Sequence, residues 1–454
     1  MTNLLTKYNI PVPRYTSYPP ANFFHEQFTE NDLRQAIVTS NECEPQHLSF
    51  YIHIPFCRRL CHYCGCNAYP MQRDNEVKAY VDAVLQEIEL VCEHIGKNRK
   101  IAQIHYGGGS PTAIPAIYIE QINKVLFDKF ACIENPEIAI ECHPGYMDEN
   151  DFETLIGAGF NRISIGIQDF NTDVLKAVNR VPSNLPIESI AKLLRAHNIR
   201  FNLDFIYGLS LQTEKRFADT ICRAIAVSPD RLVTFSYAHV PHLYKRQALL
   251  EKTGLPSETV KKNLYKTAQK LLLEAGYRQI GLDHFVKDDD ELFHAAQSHT
   301  LHRNFQGYCT RRTTGQVYAF GVTAISQLAG AYAQNTKNIA EYITLIGQKK
   351  IPVKKGYSLS PDEQITREVI TELMCNEQVD WQLLSDRLQL PISTVKSATA
   401  YSDTALQAFA DDGIIVFDNY KIAMCEKGSP FVRNVAASLD KLLINTDKTF
   451  SKPI

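Results

Sequence analysis

The sequence predicts an α/β chain: a partial (β/α)6 barrel with an N-terminal extension and a mainly α-helical C-terminal domain that resembles a winged helix. Three observations predict it. Between residue 48 and about 240, short β-branched or aromatic runs alternate with longer amphipathic ones. Each amphipathic run is long enough to carry a right-handed crossover between parallel strands. Beyond residue 351 the pattern turns mostly helical and ends with two short apolar runs flanking Asp418-Asn419, as a hairpin would.

The elements follow in order. Residues 1–47 form the extension. Strands are expected at Leu48–Ile54, Ile101–Tyr106, Glu137–Glu141, Arg162–Ile167, Phe201–Ile206 and Arg231–Tyr237, because each is a short run rich in β-branched and aromatic residues. Helices are expected at Glu76–His94, Ile117–Phe130, Ile187–His197 and Glu214–Val227. Six units are too few for a closed eight-stranded barrel but suit a curved sheet, and function then gathers at the carboxyl ends of the strands. His53, Gly107, Glu141, Gln168, Asp204 and Ala238 stand at those ends. A long helix (about 258–275), a strand at Tyr277–Leu282 and the acidic stretch Asp288–Glu291 complete a unit spanning 48–350. A linker is expected around Pro352–Pro361, opening the C-terminal domain at 351–454. That domain lacks a basic recognition stripe, so it reads as a lid or platform and not as a DNA reader.

Bulk properties exclude several classes. Lys and Arg number 48 against 50 Asp and Glu, which gives no support to a general nucleic-acid or anionic-membrane surface. No secretory signal begins the chain, and no stretch approaches the roughly 18 apolar residues a span needs. A cytoplasmic location is the expectation. Four of the 12 cysteines, Cys57, Cys61, Cys64 and Cys66, fall within ten residues while the others are scattered. A tight cluster in a large chain points to a metal site, whereas scattered single cysteines read as small buried hydrophobes.

Thiolates bind iron well, and three of them leave one iron of a cluster without a protein ligand. Four-cysteine zinc is the alternative. Cys64-Gly65-Cys66 is a cramped spacing for two ligands of one tetrahedral ion, and no second Cys-x2-Cys knuckle exists. Tyr106-Gly107-Gly108-Gly109-Ser110-Pro111 closes the second strand, where glycines would let backbone approach a ligand.

The Cys-x3-Cys-x2-Cys spacing after a first strand is similar to that of the radical S-adenosylmethionine (SAM) superfamily. The resemblance implies that Cys57, Cys61 and Cys64 hold a 4Fe-4S cluster whose free iron is chelated by SAM, which an electron cleaves to a 5′-deoxyadenosyl radical. Further segments narrow it. They include Pro13-Arg14-Tyr15-Thr16-Ser17-Tyr18-Pro19, the extra Cys66, Gly166-Ile167-Gln168-Asp169-Phe170, Val178-Asn179-Arg180, Asp204-Phe205-Ile206-Tyr207-Gly208-Leu209, Tyr237-Ala238-His239 and Leu301 to Tyr308. Together they resemble the oxygen-independent coproporphyrinogen III oxidase family over nearly the whole chain.

That resemblance implies oxidative decarboxylation of two propionates of coproporphyrinogen III to vinyls, giving protoporphyrinogen IX in anaerobic heme biosynthesis. It also implies a second SAM. Tyr51, Gly108, Glu141 and Ile325 match residues around the cluster-bound SAM; Tyr63, Gly109, Ser110, Gln168, Arg180, Asp204 and Ala238 match the second pocket. Cys66 and Tyr51 are the candidate catalytic residues, Cys66 as active-site lining and not as an iron ligand. Arg14, Arg303, Arg311 and Arg312 are candidate cations for the propionates. The implied partners are the tetrapyrrole and an electron donor such as flavodoxin or ferredoxin, with the protein a monomer that binds no nucleic acid. Some positions depart from the family pattern: Cys142-His143-Pro144-Gly145 replaces an Asp-Pro-Arg run after Glu141, and Glu377-Gln378 replaces an aromatic and an Arg. A heme chaperone usually has Phe at the place of Cys66, which argues against that relative; a heme-acting radical SAM methyltransferase is the other alternative.

Overall fold

The computed structural model describes residues 2–310, 316–444 and 446–451. Its first strand, β1 (Leu48–Ile54), is followed by a two-stranded parallel ladder, β2 (Phe56–Cys57) and β3 (Tyr69–Pro70), that brackets the cysteine loop. Then come β4 (Ile101–Gly108), β5 (Cys132–Cys142), β6 (Arg162–Gln168), β7 (Arg200–Tyr207) and β8 (Arg231–Ser236). β1 and β4 to β8 lie side by side and parallel, in chain order. The six expected barrel strands are therefore present.

The crossover helices form where the apolar spacing demands them. In Glu214–Val227, Thr213 caps the amide of Arg216, and Phe217, Ile221 and Ala224 bury one face against the sheet. The helix stops where Ser228 turns left-handed at φ 56. Within the strands, alternate side chains divide the two faces. Phe201, Leu203 and Phe205 pack outward into the core, while Asn202 and Asp204 face the barrel interior.

Beyond β8 the strands are short. β9 (Arg278–Ile280) and β10 (His284–Val286) extend the sheet antiparallel from β8, and β11 (Leu301–Asn304) with β12 (Gly307–Thr310) form a separate hairpin. The chain then returns to the opposite edge. β13 (Val317–Phe320) pairs parallel with β1, followed antiparallel by β14 (Ile325–Gln327), β15 (Ala331–Asn335) and β16 (Val353–Ser358), which makes a twelve-stranded sheet. The expected linker around Pro352–Pro361 is thus corrected: most of it is edge strand β16, which starts just after Pro352, carries Lys354 and Lys355, and is bridged on its outer side at Gly356 by His25.

The C-terminal helices begin at Pro361–Asn376, capped by Ser360, and surround a three-stranded antiparallel sheet of β17 (Gln378–Asp380), β18 (Ile415–Phe417) and β19 (Lys421–Met424). β18 and β19 are the expected hairpin around Asp418-Asn419. Their core includes the fully buried Trp381 and, from the N-terminal extension, Tyr8, Tyr15 and Tyr18. The Tyr15 and Tyr18 hydroxyls donate to Asp440 at 2.9 and 3.1 Å, and Arg433 Nε donates to the Pro13 carbonyl at 2.9 Å. The extension is therefore a strap fixed to the C-terminal unit. No helix among the described residues is long and apolar enough to cross a membrane.

Candidate active site

A cavity of about 350 Å³ opens inside the curved sheet, toward the carboxyl ends of its parallel strands. Cys57, Cys61, Cys64 and Cys66 all line it. Their loop is held by backbone: Tyr69 N donates to Pro55 O at 2.7 Å, Met71 N to Cys57 O at 2.8 Å, and His62 N to Val178 O at 2.9 Å. Asn179, at φ 58, donates from its side chain to Leu60 O at 2.9 Å. Burial first, then the neighbouring thiols, pushes Cys57 up to about 12, whereas a hydrogen bond from Cys66 draws Cys64 down to about 6.

The glycine run makes room for this loop. Gly108 has φ +117, and a Cβ there would lie 2.7 Å from the His53 ring; one on Gly109 would meet Pro55 O at 2.6 Å. The end of β4 can rest against β1 and the cysteine loop only because both side chains are missing.

Opposite the thiols stand an arginine and an acid. Buried Arg180 donates from Nη1 to the Tyr63 hydroxyl at 3.2 Å and approaches Cys61 Sγ at 3.6 Å, while Nη2 donates to Gly166 O. Asp204 accepts from Ser164 at 2.7 Å, and burial raises it to about 6. A bulge between Gly166 and Gln168 turns Gln168 to φ 70, and its buried Oε1 has no partner. His143, in the run that departs from the family pattern, lines the same cavity. Its Nδ1 accepts from Gly145 N at 3.1 Å, so Nε2 carries the proton, and that buried N–H has no acceptor. Burial holds His143 neutral, near 3.

Gly108, Gly109, Ser110, Glu141, Gln168, Arg180 and Asp204 are thus brought together with Tyr63 on one cavity. Three expected site residues do not line it. Tyr51 lies behind Gly107, its hydroxyl 3.1 Å from His53 Nδ1; Ala238 contributes a carbonyl that accepts from Gln247 at 3.2 Å; Ile325 packs with Phe24, Tyr332 and Leu359. Arg311 and Arg312 lie outside the described residues. Arg303 sits over the Tyr308 ring at 5.0 Å, with a buried, unpartnered Nε, beside the strap residues Tyr15–Tyr18; Arg14 is exposed near Ser451.

The lower part of the cavity carries a charged network that the sequence reading missed. Arg162 donates to Glu137 at 2.8 Å, and Arg231 donates to Asp290 at 2.7 Å and Glu291 at 3.1 Å. Every one of these residues is half-buried or buried. The alternation along β5, β6 and β8 was the available signal, since it places Glu137, Arg162 and Arg231 on the inner face.

The donor set fits an iron-sulfur cluster with a polar ligand beside it. The free thiols of Cys57, Cys61 and Cys64 share the cavity wall with Cys66, and polar atoms of His143 and Gln168 without a partner among the described residues border the adjoining space. Among the described residues, no group of three or more His, Cys, Asp or Glu side chains is already gathered around a metal-sized position.

Comparison with known proteins agrees. Residues 51–223 match the radical SAM superfamily, and residues 359–431 match the HemN C-terminal domain. Oxygen-independent coproporphyrinogen III oxidases from Synechocystis and from Escherichia coli K12 are each 37% identical to the chain. The first alignment covers 99% of this chain and 97% of the relative, the second 97% and 95%. The solved structure of coproporphyrinogen III oxidase (HemN) from Escherichia coli, described as a radical SAM enzyme, superposes with TM-score 0.87 at 35% identity, covering 97% of this chain and 99% of that one.

Proposed function

Because the chain belongs to the oxygen-independent coproporphyrinogen III oxidase family of radical SAM enzymes, we propose that it oxidatively decarboxylates two propionates of coproporphyrinogen III, giving protoporphyrinogen IX. The observation that carries this reading is the single cavity on which three thiols meet Arg180 and Asp204. As in its superfamily, the cofactors are a 4Fe-4S cluster and SAM. When bound, they would supply a carbon-centred radical able to abstract a β-hydrogen from a propionate; loss of carbon dioxide, with one electron passing to an external acceptor, would give the vinyl.

Cys57, Cys61 and Cys64 hold the cluster, and Cys66 lines the site. Gly108 and Glu141 border the cluster-bound SAM; Tyr51 and Ile325 are assigned with them on the resemblance alone. A second SAM is held by Tyr63, Gly109, Ser110, Gln168, Arg180, Asp204 and the carbonyl of Ala238. Arg180 suits a carboxylate, and Asp204 suits an ammonium or ribose hydroxyl. Arg303 receives a propionate: its buried Nε has no partner among the described residues, and its hairpin reaches the cavity through Gln306–Thr310. The C-terminal unit serves as a winged-helix-like platform that anchors the N-terminal strap. An external donor of flavodoxin or ferredoxin type reduces the cluster, and the protein acts as a monomer.

Anaerobic turnover of reconstituted protein with reductant, SAM and coproporphyrinogen III tests this, with 5′-deoxyadenosine, methionine and the tetrapyrrole followed by chromatography. Decarboxylated product, with SAM cleaved once per vinyl formed, is the expected result. Cleavage of SAM without decarboxylation would leave the radical chemistry standing and remove this substrate.

A further inference from the structure

Five strands separate β1, which leads into the cysteine loop, from β10 on the other side of the curved sheet. There His284 Nδ1 bonds the Asp283 carboxylate at 2.7 Å, and both side chains are mostly buried. The backbone around them is held by its neighbours. Thr234 N donates to Asp283 O at 2.8 Å, the Tyr265 hydroxyl donates to Leu282 O at 3.1 Å, and His284 is in register with Val233 of β8. The His284 ring meets Tyr308 edge-on, with centroids 5.4 Å apart, and Phe235 in the same way at 6.3 Å. The Asp283 bond and these two aromatic contacts together fix the plane of the imidazole.

That geometry decides the tautomer. A carboxylate only accepts, so Nδ1 carries the proton and the neutral ring has its lone pair on Nε2. No described residue bonds Nε2, and His284 is part of the cavity wall. A Cβ on Gly307 would lie 3.7 Å from both Cε1 and Nε2, so this edge of the ring faces the turn of the β11–β12 hairpin, where the missing side chain leaves space. A histidine fixed through one nitrogen by an acid presents the other to a ligand in a set orientation. The remaining acidic and amide acceptors of the cavity are committed elsewhere. Glu137 and Glu291 are paired with Arg162 and Arg231, and Glu141, Gln168 and Asp204 are assigned above to SAM.

We propose that His284 Nε2 accepts a hydrogen bond from a pyrrole N–H of the tetrapyrrole, with Asp283 keeping the ring in the accepting tautomer. The inference rests on the reading that coproporphyrinogen III is the substrate. A pyrrole N–H only donates, because the nitrogen lone pair belongs to the ring, so an enclosed macrocycle needs an acceptor for it. Cationic side chains suit the propionates and cannot meet this donor. The neighbours fit the same ligand: Arg303 lies over the Tyr308 ring at 5.0 Å, and His284 meets that ring at its other contact. The proposed propionate cation and the N–H acceptor thus flank one aromatic side chain. His284 touches the substrate and sets the orientation of the macrocycle; Asp283 is a positioning residue that acts through it. The N–H keeps its proton throughout.

The test is anaerobic equilibrium dialysis of cluster-loaded protein with coproporphyrinogen III and no reductant, the bound tetrapyrrole being oxidised to its fluorescent porphyrin for counting. His284→Asn keeps an amide near Nδ1 for Asp283 but places nothing at Nε2, and should bind about tenfold more weakly. His284→Gln brings an amide oxygen near Nε2 and should recover most of that loss. Asp283→Ala frees the tautomer, so affinity should fall several-fold in the wild-type background and no further in His284→Asn. Wild-type affinity in His284→Asn overturns the proposal. So does a loss in His284→Gln as large as that in His284→Asn, which would point to an imidazolium on a propionate. An Asp283→Ala effect that persists in His284→Asn overturns the role given to Asp283. If His284→Asn does not fold, retained affinity in His284→Gln with a loss in Asp283→Ala supports the proposal, and any other pair of results overturns it. Wild type that binds no coproporphyrinogen III would instead remove the underlying substrate reading.

Discussion

Arg180 Nη1 stands 3.2 Å from the Tyr63 hydroxyl and 3.6 Å from Cys61 Sγ, so one guanidinium spans the cysteine loop and the cavity that adjoins it. It is fixed from behind by the Gly166 carbonyl. A lysine carries the charge but cannot make these contacts in one plane. Hydrogen bonds to charged groups contribute ~1.5–3 kcal/mol, so Arg180→Lys should weaken the proposed second SAM by about 10- to 100-fold. Equilibrium dialysis with labelled SAM on loaded protein checks this; the first SAM should stay bound.

The four clustered thiols should separate into two classes. On the proposed assignment, Cys57→Ala, Cys61→Ala and Cys64→Ala each remove an iron ligand, whereas Cys66→Ser leaves all three in place. Iron and sulfide content after reconstitution should therefore fall in the first three variants and match wild type in Cys66→Ser. A cluster lost in Cys66→Ser would make that thiol a ligand.

Glu87 is buried and accepts from Tyr342 at 2.5 Å, Asn335 at 2.6 Å and Gly321 N at 2.8 Å. Burial outweighs those donors and raises it from 4.5 to about 7. A carboxyl with a raised folded-state pKa binds its proton more tightly folded than unfolded. Its contribution to stability is full below about 4.5 and is lost as pH rises through about 7. The change is on the order of 3 kcal/mol across that window. Thermal unfolding of the cluster-free protein from pH 5 to 8 should show this decline, and Glu87→Gln should flatten it.

The parallel core of this fold is legible in the residues. The apolar runs at Leu48–Ile54 and Glu214–Val227 give strand and helix boundaries that match the structure, because period and capping agree there. The strands after β8 were harder. β9, β10 and β14 have three residues each, and β13 finds β1 across 268 positions (Ser49 to Val317), so nothing local announces the pairing. Prolines at 352 and 361 suggested a linker; instead they flank a strand, Pro352 just before β16 and Pro361 at the first turn of the next helix, where its missing N–H costs nothing. The thiols, Gly108, Glu141 and Arg180 were visible through their motifs. The floor ion pairs were not, since Arg162 and Arg231 at strand starts look like surface charges until curvature of the sheet encloses them.

That floor gives a stability prediction. Arg231 and Asp290 are 7% and 1% exposed and lie 2.7 Å apart, joining β8 to the helix Glu291–Gln297. Removing one partner of a buried pair leaves the other charge uncompensated and costs about 3–5 kcal/mol. Asp290→Asn should lower the urea midpoint of the cluster-free protein accordingly. Its iron and sulfide content, under native conditions, should remain that of wild type.

Asp204 supplies a pH prediction on binding. Burial raises its pKa from 3.8 to about 6; the Ser164 hydrogen bond opposes this, and Glu141 adds to it. The group is therefore largely ionised at pH 7.5 and protonated at pH 5. Only the carboxylate offers a charge-assisted hydrogen bond to an ammonium or ribose hydroxyl, so ligand binding and ionisation favour each other. Affinity for the second SAM should rise as pH increases through about 6. In Asp204→Asn it should be about 10- to 100-fold weaker at pH 7.5 and nearly independent of pH across that range. Dialysis at pH 5.5, 6.5 and 7.5 on loaded protein separates the cases: a wild-type affinity that stays flat would place the second SAM out of reach of Asp204, and a slope that survives in Asp204→Asn would assign the titration to another group.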